Sequence, residues 1–227
     1  MADWQEITVV RGADGRRRCG WCGSDPDHVA YHDDEWGRPL TDDVRVYEKL
    51  SLEGFQSGLS WLTILRKRDA FRRAFAGFDP EVVARYEAAD VERLLTDAGI
   101  VRHRGKIEAT IANARATLRA QDEHGSLATV VWSHEPRPSS PAPRRLGDVP
   151  GLTTESKALA QRLRTLGFRF VGPTTAYAAM QSLGLVNDHL VGCHARSACE
   201  KERRQLRRPA SDRTDAVDEL ASPPPEA

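Results

Sequence analysis

Cysteine, charge of one sign and long apolar runs are all scarce in this chain of 227 residues. Its four cysteines stand at 19, 22, 193 and 199, so most of the chain has none, which argues against a disulfide framework. Lys+Arg 33 against Asp+Glu 33 leaves no net charge. That excludes a uniformly basic nucleic-acid coat protein and a strongly acidic disordered chain. No apolar stretch approaches the roughly 18 residues of a membrane span, and no signal-peptide pattern opens the sequence. The expected setting is cytoplasmic, with no membrane partner. With 40% hydrophobic residues, the length suits one compact domain with a core of ordinary size.

Period-2 alternation is almost absent, and helical periodicity fills the middle of the chain. Thr41-Asp42-Asp43 offers a cap ahead of Val44, Tyr47 and Leu50. Asp90 reads as the cap of a segment carrying Val91, Leu94 and Leu95, closed by Gly99. Ile107, Ile111, Ala114 and Leu118 line one face of a longer helix. Thr153 or Thr154 caps the helix that stops at Gly167, and Pro173 opens another. Five prolines make 133–150 a loop. The expected class is all-α. Residues 1–18 are expected to be a poorly ordered extension. Residues 195–227, with seven basic and seven acidic side chains, are expected to be a disordered tail.

Three groups of residues carry chemistry. Cys19 and Cys22 have Cys-x-x-Cys spacing, and His189 with Cys193 is an i,i+4 pair that one helical turn places on one face. Together they could bind zinc and fasten the chain ends. His32, His194 and Cys199 leave the ligand set ambiguous, and separate thiols are the plainer alternative. Next, Gly99-Ile100-Val101-Arg102-His103-Arg104-Gly105-Lys106 reads as a hairpin between helices. Its backbone N–H groups at a helix N-terminus suit a phosphate, Arg102, Arg104 and Lys106 add positive charge, and Ile100 anchors it. Without a ligand it is an ordinary connection with solvated basic side chains. Last, Glu53 sits in a small, apolar run interrupted by Gly54 and Gly58, where a carboxylate is costly to bury unless paired or tasked. A carboxylate turned to solvent is the alternative there.

Six motifs converge on one family. Cys19-Gly20-Trp21, Tyr31-His32-Asp33-x-Glu35-Trp36-Gly37, and Leu52-Glu53-Gly54-x-Gln56-x-Gly58-Leu59-Ser60-Trp61 come first. Ala98-Gly99 through Ile107, Gly167-Phe168-x-Phe170-Val171-Gly172 and Gly184-Leu185-Val186-Asn187-Asp188-His189 follow in order. They resemble 3-methyladenine DNA glycosylase I across about residues 19–194. The resemblance implies a helix–hairpin–helix DNA glycosylase fold over 19–194, with a structural Zn2+ site joining the N- and C-terminal segments. It selects Cys19, His32, His189 and Cys193 as ligands, where spacing alone favoured Cys22 over His32. It also implies a monomer that flips 3-methyladenine out of double-stranded DNA containing alkylated bases and hydrolyses its N-glycosidic bond. Glu53 would recognise the base and assist catalysis, with Tyr31 and Trp61 stacking around it. Gly58, Leu59, Gly99, Arg102, Arg104 and Lys106 would meet DNA, with Leu59 filling the gap in the stack. No separate aspartate is assigned to the attacking water. One departure stands out: His28 occupies a position where the family usually carries an aromatic residue. A helix–hairpin–helix DNA-binding protein without catalysis is the alternative function.

Overall fold

The computed structural model describes residues 4–137 and 141–209. Ten α-helices account for most of the described residues: α1 (Pro26–Asp34), α2 (Asp43–Gln56), α3 (Trp61–Ala74), α4 (Pro80–Val83), α5 (Ala88–Thr96), α6 (Arg104–His124), α7 (Leu127–Trp132), α8 (Thr154–Thr165), α9 (Pro173–Ser182) and α10 (His194–Gln205). Their starts are chemically marked. The carboxylate of Asp42 accepts from the Arg45 N–H, the Ser60 hydroxyl from the Thr63 N–H, and the Thr153 hydroxyl from the Ser156 N–H, each satisfying a donor that the first helical turn leaves open. Pro173 occupies the first turn of α9, where its missing N–H costs nothing. Helix α5 departs from expectation. Its cap is Glu87, and Asp90 lies three residues further on, where its carboxylate accepts from the Glu87 N–H at 3.1 Å.

Helix α2 is the axis of the fold, packed against α3, α6, α7 and α9 and buried without interruption from Val46 to Phe55. Around it Phe55, Phe71, Phe75 and Phe78 form a chain of ring contacts with centroids 4.5–6.4 Å apart between successive partners. Tyr47 joins this cluster edge-on to Phe78 and donates its hydroxyl to the Thr110 carbonyl at 2.8 Å, locking α2 to α6. A helix so enclosed must accommodate its polar side chains internally. That is how Glu53 comes to be buried and available to a cavity.

The described parts of both terminal segments are more ordered than expected. Val9–Arg11 (β1) and Arg17–Cys19 (β2) pair antiparallel, with Val9 opposite Cys19. Three residues per strand are too few for alternation to register. The hairpin is held by Arg18, whose guanidinium is buried against the Asp33 carboxylate at 2.7 Å. Residues 195–205, expected within a disordered tail, belong to α10. It buries Ala195 and Cys199, four residues apart on one face, and pairs Arg203 with Glu135 at 3.0 Å. The remaining expectations of disorder, over 1–3 and 210–227, lie outside the described residues.

Candidate active site and metal centre

A cavity of about 250 Å³ opens between α1, α2, α9 and the loop before α8. Its walls are aromatic. Trp21, Tyr31, Trp36 and Trp61 line it, with Tyr31 and Trp61 rings 5.0 Å apart and Trp21 meeting Trp36 edge-on at 5.0 Å. Glu53 is the one carboxylate among the described lining residues. Burial pushes its pKa up to about 7, opposed by the nearby Lys49 ammonium and the Ser182 hydroxyl. Lys49 lies one turn earlier on α2, with its Nζ 5.2 Å from the Tyr31 ring centre and 4.0 Å from Glu35. Its own pKa is lowered by burial to about 8. Burial, then the Glu53 and Glu35 carboxylates, hold the Tyr31 phenol well above its ordinary range, so it keeps its proton. Glu53 is therefore poised between charge states near neutrality, and a cation in the cavity would complete its ionisation.

His28 also lines this cavity, with its ring 5.9 Å from Trp21 in an edge-on contact. Burial depresses its pKa, so the imidazole is neutral at physiological pH and does not repel a cation. Its buried Nε2 and the Trp61 indole Nε1 have no hydrogen-bond partner among the described residues, leaving two polar atoms in the pocket wall for a ligand. Gln56, Leu146, Val149, Ala178 and Gln181 complete the cavity. Gln56 was visible within the Leu52–Trp61 motif. Gln181 and Val149 carry no local signal, because only tertiary packing brings α9 and the loop before α8 to α2.

Beside the pocket, Cys19, His32, His189 and Cys193 are buried with their donor atoms all within 4.8 Å of one another. Sγ of Cys19 lies 3.6 Å from Nδ1 of His189; Sγ of Cys193 lies 3.5 Å from that atom and 3.4 Å from Nε2 of His32. Sulfur and nitrogen ligands at about 2.3 and 2.0 Å from one tetrahedral ion would be about 3.5 Å apart. The outer nitrogens fix the tautomers: Nδ1 of His32 donates to Asp33 at 2.8 Å, and Nε2 of His189 donates to the Trp36 carbonyl at 3.0 Å. Both lone pairs then face the thiols. Cys193 is drawn well below the ordinary thiol range by its hydrogen bond with Cys19 and then by the two histidines, and Cys19 is pushed up in return. The cluster can hold a metal ion. Cys22, which spacing had favoured, is outside it: its thiol donates to the Gly23 carbonyl at 3.8 Å and burial raises its pKa to about 11. Cys199 is likewise a buried thiol, donating to the Trp36 carbonyl.

The Cys/His cluster and the pocket share a wall. Trp21 meets His32 at 5.4 Å and Trp36 meets His189 at 4.7 Å between ring centres, so the two lining indoles rest on the candidate ligands. Asp33 fixes the same unit from behind. Although burial opposes it, hydrogen bonds from Arg18, His32 and His194 keep its carboxyl well below the usual range.

Residues 21–197 match the family described as methyladenine glycosylase. The chain belongs to that family. It is 49% identical over 179 residues to DNA-3-methyladenine glycosylase 1 of Escherichia coli K12, spanning 78% of this chain and 95% of the relative. DNA-3-methyladenine glycosylase of Haemophilus influenzae is 42% identical over 184 residues, spanning 80% of this chain and 98% of the relative. A solved variant of 3-methyladenine DNA glycosylase I in complex with 3-methyladenine superposes with TM-score 0.76 at 35% identity, spanning 79% and 97% of the two chains. Family members are glycosylases, acting on N-glycosyl bonds, and the helical fold described above is the one these structures share.

In this family member the hairpin residues separate into two kinds. Ile100 is buried, and Gly99 is pressed so close to α3 that a Cβ there would lie 2.9 Å from that of Ala70. Arg102 and Arg104 are exposed, Arg104 pairing with Glu92 at 2.6 Å. Lys106, expected among the DNA contacts, is buried and donates its ammonium to the carbonyls of Phe55 at 2.8 Å and Ser57 at 2.6 Å. It ties α6 to the turn after α2, where Gly58 has φ +83° and Leu59 is exposed. We expect Lys106→Met to cost about 1–3 kcal/mol in chemical denaturation, because two carbonyls lose a charged donor. The salt dependence of duplex binding should stay unchanged, whereas a phosphate-contacting lysine would lower the slope by about one.

Proposed function

We propose that the protein is a monofunctional repair glycosylase that extrudes 3-methyladenine from duplex DNA and hydrolyses its N-glycosidic bond. The observation carrying this reading is the buried Glu53 carboxylate within an aromatic cavity beside a hairpin bearing exposed arginines. N3-methylation makes the nucleotide's base cationic and weakens its glycosidic bond, so the base departs neutral and needs little acid catalysis. The protein's task is recognition. It must offset an unstacking cost of a few kcal/mol and hold the extruded base. Tyr31 and Trp61 present π faces to the cationic ring, worth up to about 2 kcal/mol when desolvated. Glu53 accepts from the exocyclic amino group and complements the positive charge. Water then captures the oxocarbenium-like sugar.

Leu59, on the exposed turn made possible by Gly58, fills the gap left in the stack. The first turn of α6 with Arg102 and Arg104 grips phosphate and carries no sequence information, while Gly99 lets the hairpin approach α3. A balanced charge, with 22 basic and 23 acidic side chains over residues 19–194, is compatible with this small footprint. Zn2+ fits Cys19, His32, His189 and Cys193, and four protein ligands close its sphere, which favours a structural role. When bound it would cross-link β2, α1 and the segment entering α10.

Incubation of methylated duplex DNA with the protein, with identification of freed bases, tests the reading. Release of 3-methyladenine is expected. Binding without release would leave a non-catalytic DNA-binding protein instead.

A further inference from the structure

We propose that Phe170 is a DNA-contacting side chain whose ring packs against sugar and base edges of the duplex between the hairpin's phosphate grip and the extruded nucleotide. This deepens the functional reading above and rests on it. Phe170 combines two features that folding alone does not favour. Its backbone is left-handed, at φ +54°, a region bulky L-residues rarely enter, and its side chain is 44% exposed. Glycine would relieve the strain and remove apolar surface from water.

The surroundings hold the residue in this state. The Asn113 side chain brackets the preceding residue, accepting from the Arg169 N–H at 2.7 Å and donating to the Arg169 carbonyl at 3.2 Å. Arg164 donates to the carbonyl of the following residue, Val171, at 3.0 Å. The loop cannot relax and withdraw the ring.

Its location is equally specific. The Phe170 Cβ packs across Gly54 of α2, 3.5 Å from where a Cβ of Gly54 would lie. Its Cζ reaches 3.7 Å from the corresponding point at Gly105, and the ring meets His103, the cap of α6, edge-on at 6.2 Å. The next residue after Gly105, Lys106, is bonded to the Ser57 carbonyl beside the Gly58–Leu59 turn. Three segments therefore converge: the hairpin's exit, the turn carrying Leu59, and the loop carrying Phe170. DNA engaging the first two must pass over the third. An apolar ring there contacts nucleotides of any sequence, as a damage-searching protein requires.

Phe170→Gly is the discriminating variant, because glycine accepts this φ without strain while it removes the side chain, Cβ included. Its probe is a duplex containing a tetrahydrofuran abasic analogue. We expect affinity to fall roughly tenfold with the salt slope unchanged, since an apolar contact is lost and no phosphate contact is. Binding of free 3-methyladenine should be retained, and Phe170→Tyr should restore duplex affinity. Wild-type affinity in the glycine variant would overturn the inference, as would loss of free-base binding, which would make Phe170 a support of the pocket. Failure of the wild-type chain to bind the duplex or release base would refute the functional reading itself and this inference with it.

Discussion

Glu53→Gln is expected to reduce 3-methyladenine excision on the order of 10²–10³-fold while leaving duplex binding nearly unchanged, and to make the protein more stable above neutral pH. The activity loss follows from replacing a carboxylate that complements a cationic base by a neutral amide of the same shape. The stability gain follows from linkage. The folded-state pKa is raised from an ordinary 4.5 to about 7, chiefly by burial. Below 4.5 the carboxyl is neutral in both folded and unfolded chains and costs nothing. Stability is lost as pH rises from 4.5 through 7, where the unfolded chain ionises more readily than the folded one. Above that window the wild type carries a penalty of about 1–3 kcal/mol that Gln removes. Chemical denaturation at pH 5 and pH 8 checks the second part: the variant's advantage should appear at the higher pH. A variant inactive and destabilised at both would indicate that Glu53 is structural.

Removal of the metal, by chelation or by Cys193→Ser, is expected to destabilise the protein by several kcal/mol and to weaken free-base binding as well. The candidate ligands come from β2, α1 and the turn entering α10, so an ion held there would fasten segments more than 150 residues apart in sequence. The second effect follows from the shared wall, because Trp21 and Trp36 rest on His32 and His189. Unfolding midpoints with and without chelator, followed by Zn2+ readdition, measure the first effect. Titration of 3-methyladenine by tryptophan fluorescence measures the second. Loss of excision with unaltered midpoint and unaltered base affinity would instead make the metal catalytic. Cys22→Ala should leave metal content unchanged.

Much of this arrangement is legible in the sequence where local chemistry is strong. Asp42 and Thr153 mark helix starts as capping rules require, and Pro173 sits where its missing N–H is harmless. Where two acceptors compete, local chemistry is ambiguous: Asp90 bonds the Glu87 N–H from inside α5, which a one-residue cap rule cannot distinguish from capping. Helix α10 was hidden by its charge, since only Ala195 and Cys199, both small, are buried on it. Within the metal cluster, spacing could not separate Cys22 from His32. Cys-x-x-Cys describes chain distance, and the orientation of α1 is a tertiary outcome; the resemblance to the family supplied His32. For the pocket, Glu53 stood out as a carboxylate in an apolar run, while Gln181 and Val149 enter from elements that no motif connects to α2. Lys106 shows the opposite failure: a basic residue beside a candidate phosphate site points inward, because the turn after α2 leaves two carbonyls in need of a donor.

The most direct test of the central role given to Glu53 is the pH dependence of kcat/KM for excision of 3-methyladenine from duplex DNA, measured under subsaturating single-turnover conditions. With a free-enzyme carboxyl near 7, kcat/KM should rise about tenfold per pH unit below it and level off above it, and Glu53→Gln should flatten the profile. A wild-type profile already flat from pH 5.5 to 8.5, or one that the glutamine variant reproduces in shape, would contradict the account.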